Sequence, residues 1–526
     1  MILFLICIGL TTYYLYLLWQ RYQYFSRRGI PTPPFRFFYG HLKTLWNAAS
    51  FHRQLETWTQ QYGKIYGIYQ GTAPTLVVSD PDFLQEVFIK QFSVFPGRRE
   101  LLTGKIPNLF SSSGPSWHRY RHVINPTFSA AKLKMMSPLI NGCISNVMDK
   151  FDDHVRNGNE FNIYIYYKRM TMDVICRCAF GIDTDIQNNP DNIYLKKIDE
   201  FFARGFQMDG FHKFAQLAPE IANIITEMYF GLNNVKVFLN THILPLISTK
   251  RLDELSNMWL LTRLDPIIEQ RLKTPTSRVD LLKLMLDVMT DEPINDQVQD
   301  SSNSSKANHR LTRKEVTINI LVFMAAGYET TSTALAYATY ALAKHPEVLQ
   351  KLQAEIDRFL SSDDSMSDEE TKKYPDYDIV AQMSYLDMFV SEVFRMYPIA
   401  NAAIQREASY DTVIKGIKIE KGTLVHADIF TVHYDPELWG PEDPHLFYPE
   451  RHATKRHPMA YLPFGAGPRH CIGMRFALIE IKILLIRLLQ EYTILPGEHL
   501  ESKLNIREWG PIAPKEVWVT LVKRDA

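Results

Sequence analysis

The chain opens with an uncharged apolar segment and continues into a long body of helical periodicity. Residues 1–19 carry no charge and are rich in Leu, Ile, Phe and Tyr; as a helix rising about 1.5 Å per residue they would cross roughly 30 Å of hydrocarbon. From about residue 80 to about residue 360 apolar positions recur at helical spacing, whereas strand-like runs are short, at 65–78 and 412–426. This pattern predicts a mainly α-helical fold with a minor β-sheet region, behind an N-terminal transmembrane helix.

The residues that flank the apolar segment indicate a retained anchor. A cleaved signal peptide would need basic residues before the segment and a small-x-small site after it, and a mitochondrial presequence would be rich in Arg; the sequence has none of these features. Arg21, Arg27 and Arg28 instead follow the segment, which by the positive-inside rule places the body in the cytosol. A buried N-terminal helix is the alternative.

A proline-rich stretch separates this anchor from the body. Residues 29–34, Gly-Ile-Pro-Thr-Pro-Pro, break any helix because Pro lacks an amide donor and disfavours helical geometry in the residue before it. We expect a semi-rigid spacer here. The predicted organisation is an N-terminal membrane anchor at 1–20, a basic and Pro-rich hinge at 21–35, and one large domain at 36–526.

One long helix is predicted to cross the large domain. Thr312 and Glu315 form a capping box at its start, and helical periodicity continues to about residue 344, which corresponds to roughly 50 Å. Its uncharged middle, 316–328, is shorter than a membrane span and is followed by Glu329 and several hydroxyl side chains. A central helix is therefore favoured over a second membrane span. The polar stretches 291–309 and 361–373 predict surface loops.

Composition narrows the class of protein. Lys and Arg number 58 and Asp and Glu 58 in 526 residues, so no net field would gather nucleic acid. The 5 cysteines are too few and too scattered for a disulfide framework, which indicates a reducing compartment. Cys176 and Cys178 are one residue too close for a Cys-x-x-Cys site, and we predict that they are buried structural thiols.

A turn-rich loop at 464–473 places Cys471 just before an apolar helical run. The helix N-terminus favours a thiolate, and glycines allow the backbone to approach a large flat ligand, as an axial sulfur ligand to haem iron requires. A dinucleotide-binding loop would need a third glycine, and a zinc site would need regular ligand spacing. A plain helix cap would not need so many Gly, Pro and Arg residues.

The loop resembles the haem-binding signature of the cytochrome P450 family, F-x-x-G-x-R-x-C-x-G, at every fixed position. Other family motifs follow in the family's order: W-x-x-x-R at Trp117 and Arg121, A-G-x-[D/E]-T-T at 326–331, E-x-x-R at Glu392 and Arg395, and P-E-R-F at 449–452. The exception is His452, where the family usually has Phe; we expect replacement of His452 to be nearly neutral for haem content. The resemblance covers essentially the whole chain and is nearest to microsomal, drug-metabolising-type members.

The resemblance implies the cytochrome P450 fold and a site that holds haem b, iron protoporphyrin IX, with the Cys471 thiolate as axial ligand to the metal. Thr330 and Glu329 are the expected catalytic residues for dioxygen and protons, although Thr330 could instead bind the carbonyl of Ala326 and bend the helix. The expected haem contacts are Phe464, Gly465, Gly467, Gly473, Gly327, Trp117, Arg121, Arg406 and Arg469, and either Arg98 or Arg99 is a further candidate. Glu392, Arg395 and Arg451 are expected to form a buried structural network; a surface i,i+3 pair is the alternative.

The resemblance also implies partners. Residues 101–148 and 451–479 contain no acid but several Lys and Arg, which predicts a basic proximal face for an NADPH-dependent flavoprotein reductase. An apolar small-molecule substrate is expected from residues 106–110, 399–403 and 511–513 and from the aromatic Phe201, Phe202, Phe206, Phe211 and Phe214. No nucleic acid is expected as a partner. The expected location is the endoplasmic reticulum membrane, with a single-pass anchor and a cytosolic catalytic domain.

The predicted activity is therefore that of a haem-thiolate monooxygenase, an oxidoreductase that inserts one atom of dioxygen into a small apolar substrate with two electrons from the reductase. A haem-thiolate isomerase acting on peroxides would need neither the reductase surface nor the Glu329 and Thr330 pair. A haem-binding sensor without turnover would need only Cys471.

Overall fold

The computed structural model describes residues 1–99, 108–205, 210–247, 252–274, 280–294, 296, 310–361, 375, 377–508 and 510–524. Within them the fold is mainly helical with small sheets, as predicted. The first helices are α1 (Ile2–Tyr22), α2 (Leu42–Asn47), α3 (Phe51–Tyr62), α4 (Pro81–Gln85), α5 (Gly114–Ile124), α6 (Ala130–Asn157), α7 (Ile163–Phe180), α8 (Ile193–Gly205), α9 (Gly210–Leu217), α10 (Ala222–Phe238), α11 (Leu244–Ile247), α12 (Ser256–Lys273) and α13 (Leu281–Leu286). The later helices are α14 (Arg313–Lys344), α15 (Pro346–Ser361), α16 (Tyr377–Val380), α17 (Ser384–Met396), α18 (Ile429–Tyr434), α19 (Pro436–Trp439) and α20 (Met474–Glu491).

The strands form one four-stranded sheet and several smaller ones among the described residues. The strands are β1 (Ile65–Gln70), β2 (Ala73–Val78), β3 (Phe161–Asn162), β4 (Met289–Thr290), β5 (Leu311–Thr312), β6 (Gln405–Glu407), β7 (Thr412–Ile414), β8 (Ile417–Ile419), β9 (Leu424–Ala427), β10 (Tyr492–Pro496), β11 (Ile506–Arg507), β12 (Ala513–Pro514) and β13 (Trp518–Lys523). The largest sheet has the order β1-β2-β9-β6, with β2 and β9 parallel and the other pairs antiparallel. The predicted strand-like runs thus supply β1 and β2, and β7 to β9.

The long central helix is α14, with 32 residues. Glu315 N donates to Thr312 Oγ1 at 3.3 Å, and Thr312 N donates to Glu315 Oε2 at 2.7 Å, which confirms the predicted capping box. Buried residues occur along most of α14, and together with α7, α17 and α20 it contributes to the main hydrophobic core. A second core lies around the four-stranded sheet and includes buried residues from the end of α1 and the chain after it, from α4 and from α18.

The N-terminal region forms the predicted helix, α1. Among the residues that the structure describes, no helix combines the length and apolar character needed to cross a membrane, so the transmembrane part of the prediction lacks support. The chain that follows α1 lies against the sheet: Tyr22, Phe25 and Ile30 are buried, and Tyr69 OH donates to Tyr22 O at 2.9 Å.

The predicted surface loops lie largely outside the described residues, because 295, 297–309 and 362–374 are not among them. The same holds for Phe206 and for residues 106 and 107 of the predicted substrate-binding stretch. Cys143, Cys176 and Cys178 are buried thiols, as predicted for the last two.

Candidate active site

The Cys471 loop is held by backbone hydrogen bonds and by close packing on a neighbouring helix. Cys471 N donates to Phe464 O at 2.8 Å, and the Phe464 ring packs on Phe394 of α17 with centroids 5.0 Å apart. Gly467 has φ +69°, and a Cβ on it would lie 1.9 Å from Phe88 O. The backbone at this position can therefore accept no other residue without moving.

Solvent can reach Cys471, although many protein atoms lie around its thiol. Burial raises the pKa of the thiol, and the amides of Gly473 and Met474, at the start of α20, and the cations Arg121 and Arg98 lower it. The sequence predicted that the protein would stabilise the thiolate. The amides and arginines do favour it, but burial has a larger effect on the pKa and favours the neutral thiol. A metal cation at the sulfur would supply the remaining stabilisation.

Three arginines, Arg406, Arg98 and Arg469, gather beside this loop. Arg406 is 1% exposed, lies over the Phe88 ring, and donates from Nη1 to Gln405 O at 2.8 Å. Its Nε has no partner, and no carboxylate pairs with it among the described residues. Burial, together with Arg98 and Arg469, holds the pKa of Arg406 well below its usual range.

The other predicted contacts frame the same region. Arg469 stacks on the buried Trp117, with 4.8 Å between guanidinium and ring centroid, and Arg469 Nη1 donates to Phe110 O at 3.3 Å. Arg121 Nη1 donates to His470 O at 3.0 Å, next to Cys471. Arg98 Nε donates to Ala403 O at 2.9 Å, whereas Arg99 pairs with Glu407 at 2.6 Å. Of these two, Arg98 is therefore the one that joins the cluster around Arg406.

A buried cation such as Arg406, with no carboxylate beside it in the described part of the chain, fits an anionic ligand, because an uncompensated charge in the interior is costly. An exposed thiol stands in the same loop region as this arginine cluster. This donor set, one soft sulfur ligand and a group of planar cations, suits a haem whose iron binds sulfur and whose propionates bind arginine.

Glu392, Arg395 and Arg451 form one buried cluster. Arg395 Nε and Nη2 donate to the two carboxylate oxygens of Glu392 at 2.7 and 2.8 Å, and Arg451 Nε donates to Glu392 Oε1 at 3.0 Å. All three side chains are 0% exposed, which excludes the surface pair. Although burial opposes it, hydrogen bonds from Arg395 and His452 lower the pKa of Glu392 to about 2.

A buried histidine that sequence reasoning missed connects this cluster to the Cys471 loop. His433 Nδ1 donates to Arg395 O at 3.0 Å, and His433 Nε2 accepts from Leu462 N at 2.9 Å. Leu462 O in turn accepts from Gly465 N at 3.0 Å. Burial lowers the pKa of His433 to about 3, so the neutral ring serves as both donor and acceptor. No sequence motif marks His433.

The two predicted catalytic residues, Glu329 and Thr330, lie in the middle of α14, and their side chains point in different directions. Thr330 Oγ1 donates to Ala326 O at 2.6 Å, which is the bonding pattern that the sequence left as an alternative. Glu329 is fully buried; Arg507 Nη2 contacts its carboxylate, and Tyr164 OH donates to it at 3.2 Å. Consecutive helical residues point about 100° apart, and these two side chains bind different partners.

Gly327 allows close packing of α14 on α7. A Cβ at Gly327 would lie 2.9 Å from Ile175 Cδ1. Gly465 has φ +70°, but the space beside it is open, since a Cβ there would lie 3.9 Å from Ile404 Cδ1. Gly327 is therefore constrained by a neighbouring helix, whereas the expectation was a close approach to the cofactor.

Comparison with known proteins identifies the family. The cytochrome P450 family model matches residues 30–515. The chain is 34% identical over 511 residues to cytochrome P450 3A29 of Sus scrofa, covering 95% of this chain and 92% of the relative. It is 32% identical over 522 residues to cytochrome P450 3A5 of Homo sapiens, covering 97% and 94%. The chain belongs to the cytochrome P450 family.

Membership in the family gives this P450 its reaction class and cofactor. It is an oxidoreductase of the monooxygenase type, and the family binds haem with a cysteine thiolate as axial ligand. A putative cytochrome P450, cyp-13B1 of Caenorhabditis elegans, is 33% identical over 518 residues and covers 96% of both chains. Members of the family in general use dioxygen, a small-molecule substrate and a redox partner.

The predicted proximal face is only partly basic. Arg119 is buried, and it pairs with Asp296 and Glu315 at 2.7 Å each, so it offers no charge to a partner. Lys134 pairs with Asp378 at 2.7 Å. Lys455 and Arg475 are exposed. Counting acids within one stretch of sequence does not reveal these ion pairs, because their acidic partners lie far away along the chain.

The predicted aromatic substrate contacts that the structure describes lie in two places. Phe202 is buried and lies 6.2 Å from the Tyr328 ring, and Phe201 packs on Phe202. Phe211 packs on Tyr229, and Phe214 is exposed. Phe201 and Phe202 belong to the main core beside α14.

Proposed function

We propose that this P450 inserts one atom of dioxygen into a small apolar organic substrate, using two electrons from an NADPH-dependent flavoprotein reductase. The observation that carries the proposal is the accessible Cys471 thiol in a loop beside the buried Arg406, which has no carboxylate partner among the described residues. Haem bound there supplies dioxygen activation and electron transfer. Substrate, dioxygen, two electrons and two protons give hydroxylated product and water.

The chain's own groups have three tasks in this reaction. Arg406 and Arg469 bind and orient the propionates, and Trp117 keeps Arg469 in place by stacking. Glu392, Arg395 and Arg451 hold the Cys471 loop. Thr330 Oγ1, whose hydrogen is donated to Ala326 O, accepts a hydrogen bond from a water beside the oxygen substrate, and Glu329 supplies protons from the preceding position of α14.

The reductase is proposed to dock beside Lys455 and Arg475. Both are exposed, and the stretch that carries them contains no acid. Complementary charge raises association rates and makes them sensitive to salt. Charge reversal by Lys455→Glu with Arg475→Glu is expected to slow reductase-driven reduction at low salt. The control is Lys515→Glu, because Lys515 is also exposed but lies outside the acid-free stretch.

Membrane association is proposed through the N-terminal region, with residues 1–20 as anchor, 21–35 as connector and 36–526 as catalytic domain at the endoplasmic reticulum. Large apolar side chains on α1 are exposed, among them Phe4, Leu10 and Trp19. A second exposed apolar stripe follows α10 at Ile224, Met228, Leu232, Val235 and Phe238. Arg21 contacts Glu220, just before α10, so both features lie on one side of the protein. Removal of residues 1–20 is expected to shift much of the protein from membrane pellet to supernatant.

The decisive experiment is the carbon monoxide difference spectrum of the dithionite-reduced protein, with Cys471→Ser beside the wild type. A strongly red-shifted Soret band in the wild type alone establishes the thiolate ligand, and reductase-dependent product formation establishes the monooxygenase. Peroxide turnover without reductase would instead indicate the isomerase. Haem binding without turnover in either assay would indicate the sensor.

A further inference from the structure

The carboxylate of Glu329 is held by a side chain from a distant part of the chain. Arg507 Nη2 contacts Glu329 Oε1, to which Tyr164 OH also donates at 3.2 Å. Lys168 Nζ lies 3.3 Å from Glu329 Oε2. Glu329 Oε2 accepts no hydrogen bond from the described residues, so Lys168 acts on it through charge alone, and the hydrogen bonds that orient this buried carboxylate come from Arg507 and Tyr164 at Oε1.

Arg507 lies on β11, which pairs with β12, and this β11–β12 hairpin is fastened to the region around α14. Ile512 N donates to Ile399 O at 2.8 Å. Tyr337 OH, from α14 itself, donates to Ile512 O at 2.9 Å. The hairpin therefore keeps a set distance from the helix that carries Glu329.

Glu508 fastens the same hairpin on its other side. Glu508 accepts from Phe51 N at 2.8 Å and lies 3.0 Å from His52 Nδ1. Consecutive residues of opposite charge thus attach the hairpin to α14 through Arg507 and to α3 through Glu508. The guanidinium of Arg507 is consequently presented to Glu329 by the fold, with only 27% of its side chain exposed.

We propose that Arg507 is a positioning residue for the proton-delivering step of the reaction. Lys168 of α7 attracts the Glu329 carboxylate from one side, and Arg507 holds it from the other. The position of the carboxylate then determines how protons pass from Glu329 to Thr330. The inference rests on the proposed function, in which Glu329 supplies these protons. Correct delivery gives hydroxylated product and water; misdirected delivery releases dioxygen, two electrons and two protons together as hydrogen peroxide.

The test compares Arg507→Gln, Arg507→Lys and Lys515→Gln in the haem-loaded full chain with reductase and NADPH, with an O-alkylated coumarin as apolar probe. Lys515 is exposed beside the hairpin, so its replacement removes the same charge without touching Glu329. Arg507→Gln is expected to raise hydrogen peroxide per NADPH about tenfold and to increase the solvent deuterium isotope effect on product formation. Arg507→Lys is expected to restore most of the coupling, and Lys515→Gln to match the wild type.

Cumene hydroperoxide supplies oxygen without these protons, so product formation with this oxidant is expected to be equal in all variants. An unchanged peroxide ratio and isotope effect in Arg507→Gln would overturn the inference. An equal loss of hydroperoxide-driven product would also overturn it, because Arg507 would then be purely structural. Failure of the wild type to oxidise NADPH with reductase would refute the proposed function instead.

Discussion

His452 Nε2 lies 3.0 Å from Glu392 Oε2, so the carboxylate that binds Arg395 and Arg451 has a third side-chain partner. The imidazole also packs between Trp439 and Tyr461, with ring centroids 5.3 and 5.5 Å away. The residue that departs from the usual Phe of the family motif is therefore a polar member of the buried Glu392 cluster.

Replacing His452 by Phe removes this hydrogen bond but keeps the ring packing. We expect the free energy of unfolding to fall by about 1 kcal/mol, with haem content nearly unchanged because both arginines still bind Glu392. Urea denaturation followed by circular dichroism measures the first quantity and the pyridine haemochrome spectrum the second. His452→Gln, which retains a donor, is the control; a marked loss of haem in the Phe variant alone would contradict the expectation.

Replacing Glu392 by Gln leaves Arg395 and Arg451 as buried cations without a counter-charge. Breaking one partner out of a buried ion cluster costs about 3–5 kcal/mol, so we expect little folded, haem-containing protein. Lys351→Gln breaks the exposed pair with Glu450 and should cost under about 1 kcal/mol. Comparable haem content in the two purified variants would show that the Glu392 cluster is not needed.

Replacing Arg406 by Met is expected to act in opposite directions on the two forms of the protein. The haem-free form should gain stability, by roughly 1–4 kcal/mol, because an isolated buried cation is replaced by an apolar side chain. The haem-bound form should lose haem faster, because one propionate partner is gone. The urea midpoint of the haem-free protein and the rate of haem transfer to apomyoglobin measure the two effects. Changes of the same sign would argue against propionate binding by Arg406.

Alanine at Gly467 and at Gly465 separates steric conflict from backbone strain. Both residues have positive φ, but only at Gly467 would the new Cβ meet a backbone oxygen, at 1.9 Å. Gly467→Ala should therefore abolish the carbon monoxide signal near its normal position, whereas Gly465→Ala should cost only about 1 kcal/mol of stability and retain it. Identical spectra for the two variants would be the contrary outcome.

Buried neutral histidines predict a loss of stability in acid. Burial lowers the pKa of His41 and of His426 to about 4, and that of His433 to about 3. The unfolded chain protonates them near pH 6.5, so it binds more protons than the folded chain below that pH. Stability is therefore highest above about pH 6.5 and falls as the pH drops, by up to about 1.4 kcal/mol per pH unit for each histidine.

The variant His426→Leu tests this dependence, because the Nε2 of His426 has no partner among the described residues. Urea denaturation at several pH values gives the free energy of unfolding as a function of pH. Between about pH 4 and pH 6.5 this free energy should change by about 1.4 kcal/mol per pH unit less in the variant than in the wild type. A slope that does not change would place the proton uptake at other groups.

Local patterns in the sequence determined much of this P450. The capping box and the uninterrupted periodicity of α14 involve residues three or four positions apart, and the Cys471 loop is one contiguous motif. Such features depend on neighbours along the chain, so they need no knowledge of the fold. The shared face of Glu392 and Arg395 followed in the same way.

Only the tertiary structure decided which charges are buried and with which partners. Arg119 lies in a stretch of sequence without acids, yet Asp296 and Glu315 from elsewhere in the chain pair with it. His433 and Arg507 belong to no motif, because their roles come from contacts with residues far away in the sequence. Burial and long-range pairing arise when separate elements pack together, and a side chain's desolvation and charge balance are set by that packing, which spacing along one chain does not encode.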